Sequence, residues 1–232
     1  MLPHTENNIA TPTPNDMDHY RLVREIASEL NSVLAGKIPR SGLKECAKKL
    51  GLWKHGGIDV AEDGRVDVFF DYCIHQFRIN NASVIERHLL MSPPVVDSIE
   101  FSILQTMLKS YYSIYTVIGT VKNKGIRALD LMYQREMFII DISMSNTARL
   151  GLVFAGNIMP LNEFYITSGA SLPIPHELLE NKLLTLVDDA MGNNLDAMLP
   201  KSKEAFFAAQ VIKEILKYNI WSEFKYKDTT GE

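Results

Sequence analysis

Residues 111–175 read YYSIYTVIGTVKNKGIRALDLMYQREMFIIDISMSNTARLGLVFAGNIMPLNEFYITSGASLPIP. Runs of β-branched and aromatic residues alternate here with turn signals, the pattern of a compact sheet or small barrel. Strands are expected near 112–121, 126–132, 137–144, 152–159 and 163–168. KNKG forms the first turn, with Gly125 free to take positive φ, and YQRE the second. SNTARLG is a longer connection, PLNE turns the last pair, and Pro173 and Pro175 end the sheet. Short antiparallel strands in succession predict a meander that closes into a five-stranded barrel, or a curled sheet packed on helices.

Outward from this segment the chain reads as helix. Residues 1–16 are polar and proline-containing and are expected to be disordered. Residues 17–110 form a helical region. Its first helix runs from Asp18 to Ala35, with Leu22, Ile26, Leu30, Val33 and Leu34 on one side. Ser41 caps a second helix that ends at Gly51, and WKHGGIDVAEDG is a turn-rich connector. In the helix Arg65–Ile79, Val66, Phe69, Phe70, Cys73, Ile74 and Phe77 recur at the helical period. A short helix spans Ala82–Leu90. Another starts at Ser92-Pro93-Pro94 and turns Val96, Ile99, Ile103, Met107 and Leu108 inward. Beyond the sheet, residues 176–226 carry helices at 176–191 and 202–219 and an aromatic tail of Trp221, Phe224 and Tyr226 that docks back on the rest. The expected class is α+β: helical N-terminal region, central antiparallel curled sheet or small barrel, C-terminal helices.

A net charge of −4 argues against indiscriminate attraction to phosphate backbones, which needs clustered lysine and arginine. Cys46 and Cys73 form no metal or disulfide motif and fall on apolar helix faces, as buried small hydrophobes in a reducing compartment do. The N-terminus lacks the basic and apolar regions of a signal peptide. The apolar stretch Leu150–Leu161 is broken by glycine, asparagine and proline and falls short of the roughly 20 residues a bilayer requires. These features predict a cytoplasmic protein with no membrane partner.

Three stretches carry a resemblance: KKLGLWKHGGIDV (48–60) with DVFFDYCIHQ (67–76), NASVIERHLL (81–90) before SPP, and residues 128–158 continuing into MPLNEFYITSGASLPIP (159–175). Together they resemble an uncharacterised family of bacterial cytoplasmic proteins with no assigned activity. The resemblance covers residues 40–175. It implies one integrated architecture and brings no functional residues with it.

Each candidate site has a structural alternative. LKECAKKLGL is similar to the first helix of a helix-turn-helix motif, but the glycines and aspartates that follow oppose a recognition helix. Asp67, Asp71 and His75 are spaced to share one helix face, as carboxylate and imidazole ligands of a metal would be. The apolar positions instead predict that this face points to solvent. His176-Glu177 opens a sequence similar to a zinc-protease motif without its second histidine, and acidic residues in a first turn are accounted for by the helix dipole. Lys37, Arg40, Lys44, Lys48, Lys49 and Lys54 make a basic stretch suited to water or an acidic partner.

The partner-binding candidates are Lys122, Lys124 and Arg127 beside Tyr112, with Tyr111 and Tyr115. Basic residues interleaved with aromatics on a small barrel are the pattern that binds single-stranded nucleic acid. No catalytic, cofactor or metal residue is assigned, since no Gly-rich phosphate loop or nucleophile elbow appears. The leading expectation is a non-catalytic binding or scaffold protein whose barrel surface engages a protein, a second copy of itself or nucleic acid. The alternative is an enzyme with a site between barrel and helices, using Asp130 and Asp141 as a carboxylate pair.

Overall fold

The computed structural model describes residues 9–60, 64–192 and 197–218. Helix α1 (Pro14–Gly36) starts earlier than the apolar periodicity implies. Thr13 and Asp16 form a reciprocal capping box and Pro14 occupies the first turn, so the polar TPND sequence nucleates helix rather than tail. The inward face of α1 is Met17, Tyr20, Val23, Ala27, Leu30 and Leu34, while Leu22 and Val33 are exposed.

Helix α2 (Arg40–Lys49) leads into a two-stranded hairpin, β1 (Trp53–Lys54) and β2 (Gly57–Ile58), so no recognition helix follows it. Helix α3 (Arg65–His75) packs against α2, and Cys46 of α2 and Cys73 of α3 are fully buried. Helix α4 (Val84–Met91) has a capping box from Ser83 and Glu86. Helix α5 (Ile99–Leu108) begins later than expected. Asp97 takes φ 69°, Ser98 caps the helix, and Ser92-Pro93-Pro94 belongs to the preceding loop, leaving Val96 exposed.

The strand-rich segment is a closed five-stranded barrel of β3 (Tyr111–Val121), β4 (Gly125–Asp130), β5 (Arg135–Ile140), β6 (Val153–Leu161) and β7 (Phe164–Thr167). It is not a meander. Asp141, expected within a strand, instead caps a short helix α6 (Ile142–Thr147), which carries the chain across to the free edge of β3. β6 therefore pairs antiparallel with β3, from Tyr111↔Ile158 to Thr116↔Val153. β7 turns back along β6 and closes the barrel by pairing parallel with β5, at Ile139↔Tyr165 and Ile140↔Ile166. A short β8 (Leu172–Ile174) continues along the same edge of β6 as β7.

Alternation along the strands gives the barrel two apolar faces. Tyr111, Tyr115, Val117, Ile126, Met137, Ile139, Phe154 and Ile158 pack together inside it. Tyr112, Ile114, Phe138, Ile140, Val153 and Ala155 face the helices and join the main core. Helix α7 (His176–Leu178), a π-helical turn (Leu179–Leu183) and α8 (Leu184–Met191) form one continuous rod, and α9 (Lys201–Lys217) packs on β3 and β8. Trp221, Phe224 and Tyr226 lie outside the described residues.

Candidate functional site: a cleft floored by a buried polar ring

The helical period places Asp71 and His75 on the same side of α3. That side faces the barrel, not solvent as the apolar pattern implies. His75 is buried and the Asp71 side chain is only 9% exposed, while Val66 and Asp67 are left outside. Asn157 Nδ2 on β6 donates to Asp71 Oδ2 (2.7 Å). Gln76 Nε2 donates to Asn157 Oδ1 (2.7 Å) and to Glu204 Oε1 of α9 (2.8 Å). Glu204 also accepts from the Tyr112 backbone N–H (3.0 Å) and pairs with Lys201 Nζ (3.0 Å), which donates onward to the Ser110 carbonyl. The Ser110 hydroxyl meets His75 Nδ1 at 2.9 Å, and His75 Nε2 lies 3.8 Å from Asp71 Oδ1. The contacts form a ring that ties α3 to α9, β3 and β6.

Burial sets the electrostatics of this ring. Loss of solvent pushes the His75 imidazole below its ordinary pKa, with the Asp71 carboxylate opposing, so the ring carries a neutral histidine at neutral pH. Burial raises the Tyr112 phenol well above its usual value, and the Asp71 charge adds to the effect. Asp71, His75 and Ser110 stand in the order of a carboxylate–imidazole–hydroxyl relay. The hydroxyl end is buried, however, and Ser110 lines neither of the cavities described next. The carboxylate end is the one that reaches an opening.

That opening is a cleft of about 430 Å³ between α1, α3 and the loop joining β7 to β8. Helix α1 contributes Arg24, Ser28 and Asn31 together with small residues such as Ala27 and Ala35, whose short side chains leave the space open. Helix α3 contributes Asp67, Phe70, Asp71 and Ile74 at successive turns. Ser168, Gly169 and Ala170 close the end. Arg24 Nη1 donates to the Thr167 carbonyl (3.0 Å), and Gly169, at φ 110°, lets the guanidinium lie against the loop. A Cβ at Gly169 would stand 3.2 Å from Arg24 Nη2. Asn31 Oδ1 and Ser168 Oγ are buried atoms with no hydrogen-bond partner. A second cavity of about 310 Å³ adjoins the first across Arg24 and is lined by Asp141, Ser143 and Thr167.

The sequence-derived candidates are not assembled into a site. Tyr112 is 2% exposed and its ring sits edge-on to Phe207 of α9 (6.3 Å), so it offers no face for a base. Tyr111 and Tyr115 are also buried, because β3 has a protein layer on both sides, and the stacking expectation fails. Lys122 is exposed at the β3–β4 turn. Lys124 is half-buried and donates to the Pro12 carbonyl (2.6 Å), and Arg127 faces Glu136 at 3.8 Å. Asp130 and Asp141 are not a carboxylate pair. Asp130 pairs with Arg135 in register, whereas Asp141 follows Ile140, the partner of Gly125 at the other end of β4. Five residues of strand, roughly 17 Å, separate the two levels.

Among the described residues no three His, Cys, Asp or Glu side chains converge to hold a metal ion, and Asp67, one turn before Asp71, is exposed. Arg24, Ser28, Asn31 and Ser168 were not singled out by their sequence. Ser28 and Asn31 belong to a stripe of small and polar residues beside the apolar face of α1, in ASELNSVLA (27–35), whereas Arg24 and Ser168 carry no such signal.

None of the curated proteins and none of the solved structures matches this chain. The model of a family of unknown function, DUF7986, matches residues 14–209, which take in α1, the barrel and the start of α9. The chain belongs to that family of unknown function.

Proposed function

We propose that the protein binds a small polar ligand in the cleft between α1, α3 and the β7–β8 loop. The observation that carries this reading is the convergence of Arg24, Asn31, Asp67, Asp71 and Ser168 on one cavity of about 430 Å³, a volume suited to a metabolite-sized molecule. The buried ring beneath Asp71 fixes that carboxylate against the barrel, and the Arg24–Thr167 hydrogen bond fixes the opposite wall. A rigid polar cavity of this kind favours binding because little order has to be imposed when the ligand arrives.

This reading moves the binding site from the barrel surface to the junction of barrel and helices. Docking of a macromolecule at Lys122, Lys124 and Arg127 is the second reading, supported by the exposure of Lys122 at the turn. A cytoplasmic location is part of the same proposal. Two buried, unbridged cysteines support it, and no helix among the described residues is long and apolar enough to cross a membrane.

The test is a thermal-shift screen of small polar compounds against the wild type and Ser28→Trp. Ser28 is exposed on the cleft wall, so the indole fills the cavity without entering the core. A ligand at a hundredfold excess over its Kd stabilises the folded state by about 2.7 kcal/mol. The expected outcome is a compound that raises the wild-type Tm and leaves the variant unmoved. Equal shifts in both proteins, or none in the wild type, would contradict the proposal.

A further inference from the structure

We propose that the ligand of this cleft is an organic cation, its ammonium or guanidinium head seated on Asp71 with Asp67 beside it. The inference rests on the cleft being the ligand site and adds the chemical class. Its starting point is the state of Asp71. A carboxylate nine-tenths buried is costly unless a cation or several donors compensate it. The Asp71 carboxylate receives the neutral amide of Asn157, and its one ion-pairing neighbour among the described residues is His75, at 3.8 Å. Burial keeps that imidazole below its ordinary pKa, so it supplies little positive charge.

Arg24 is the guanidinium that lines the cleft; its Nη1 donates to the Thr167 carbonyl and the group lies against Gly169, on the loop at the end of the cleft. The walls therefore present two carboxylates against one guanidinium, and Asp141 adds a third carboxylate in the adjoining cavity.

A second, independent observation points the same way. Asn31 Oδ1 is a buried acceptor with no donor, and it lines the same cavity. An ammonium carries three donors and a guanidinium five, and neither accepts, so either head can serve Asn31 Oδ1 and the Asp71 carboxylate. Ala27, Ala35, Phe70 and Ile74 provide an apolar strip for the aliphatic part of such a molecule. A carboxylate or phosphate ligand would face Asp67 and Asp71 directly and be repelled.

Three probes of matched chain length separate the possibilities by calorimetric titration: aminopentanol, pentanediol and hydroxypentanoate. Each is titrated into the wild type, Asp71→Asn, Asp67→Asn and Ser28→Trp, with circular dichroism confirming that every variant is folded. The expected result is aminopentanol binding at least about tenfold more tightly than pentanediol, the scale of one charge-assisted contact. Asp71→Asn removes that preference, Asp67→Asn reduces it, and Ser28→Trp abolishes binding. Tighter binding of the diol or the carboxylate, lost in Ser28→Trp, overturns the cationic class and leaves the cleft standing. Aminopentanol binding that persists in Ser28→Trp overturns both, as does failure of all three probes to bind the wild type.

Discussion

Asp130 is fully buried and accepts hydrogen bonds from Ser113 Oγ (2.6 Å), the Tyr111 hydroxyl (3.2 Å) and the backbone N–H groups of Met132 (3.0 Å) and Tyr133 (3.2 Å). It holds the β4–β5 turn onto β3, a structural role. Burial raises its pKa, and the donors oppose the rise. Replacing it with alanine strands four donors in the protein interior. Asp130→Ala is expected to cost about 3 kcal/mol in urea unfolding, and Asp130→Asn, which keeps an acceptor, clearly less. His75 supplies a pH signature. Its folded pKa lies below the ordinary value, so the unfolded chain takes up the proton first as pH falls. Stability from this group is complete above about pH 6.5 and is lost as pH falls through the depressed folded value. His75→Gln should flatten the fall in urea midpoint between about pH 7 and pH 5. His88, also lowered by burial with the Lys37 charge adding to it, retains its own contribution. An unchanged slope in His75→Gln would show that the ring does not hold a neutral imidazole. At this scale the sequence was least informative. Asp71 and His75 are polar residues on a helix whose apolar positions already fill a face, and only the barrel's arrival on the other side buries them.

At the scale of elements, existence was more legible than boundaries. The helices Pro14–Gly36, Arg65–His75 and Lys201–Lys217 each follow a 3.6-residue apolar pattern, and four strands stand within a few residues of their expected places. The errors come from local capping. Thr13, Ser98 and Asp141 each begin a helix at a point where hydrophobicity alone does not mark one. The Asp141 cap mattered most, because it turned an expected strand end into the crossover that sets the topology. Gly125 tests the register at the start of β4. A Cβ there would lie 2.2 Å from the Ile139 carbonyl oxygen and 2.8 Å from the Phe138 ring. Gly125→Ala should cost about 3 kcal/mol, since the strands would have to separate. Gly36 ends α1 with no atom within 4 Å of its notional Cβ, so Gly36→Ala should instead stabilise by about 0.5 kcal/mol. Paired thermal denaturations of the two variants read both signs.

For the molecule as a whole, the expected α+β architecture stands, with its barrel closed and its strand order changed by the parallel β5–β7 pair. That closure covers the tyrosines from both sides and withdraws them from any partner. The cleft was not legible in one dimension. It joins residues 24–35, 67–74 and 168–170, and only the packing of α1 and α3 beside the β7–β8 loop brings them together. On the proposed reading this junction, not the barrel surface, is where the protein meets its ligand. Amide-resolved NMR during titration with aminopentanol tests it most directly. Shifts are expected to concentrate in residues 24–35, 67–75 and 167–171, with weaker ones passing through the ring to Asn157 and Ser110. Shifts centred instead on the turn at residues 122–127, or scattered without focus, would contradict it.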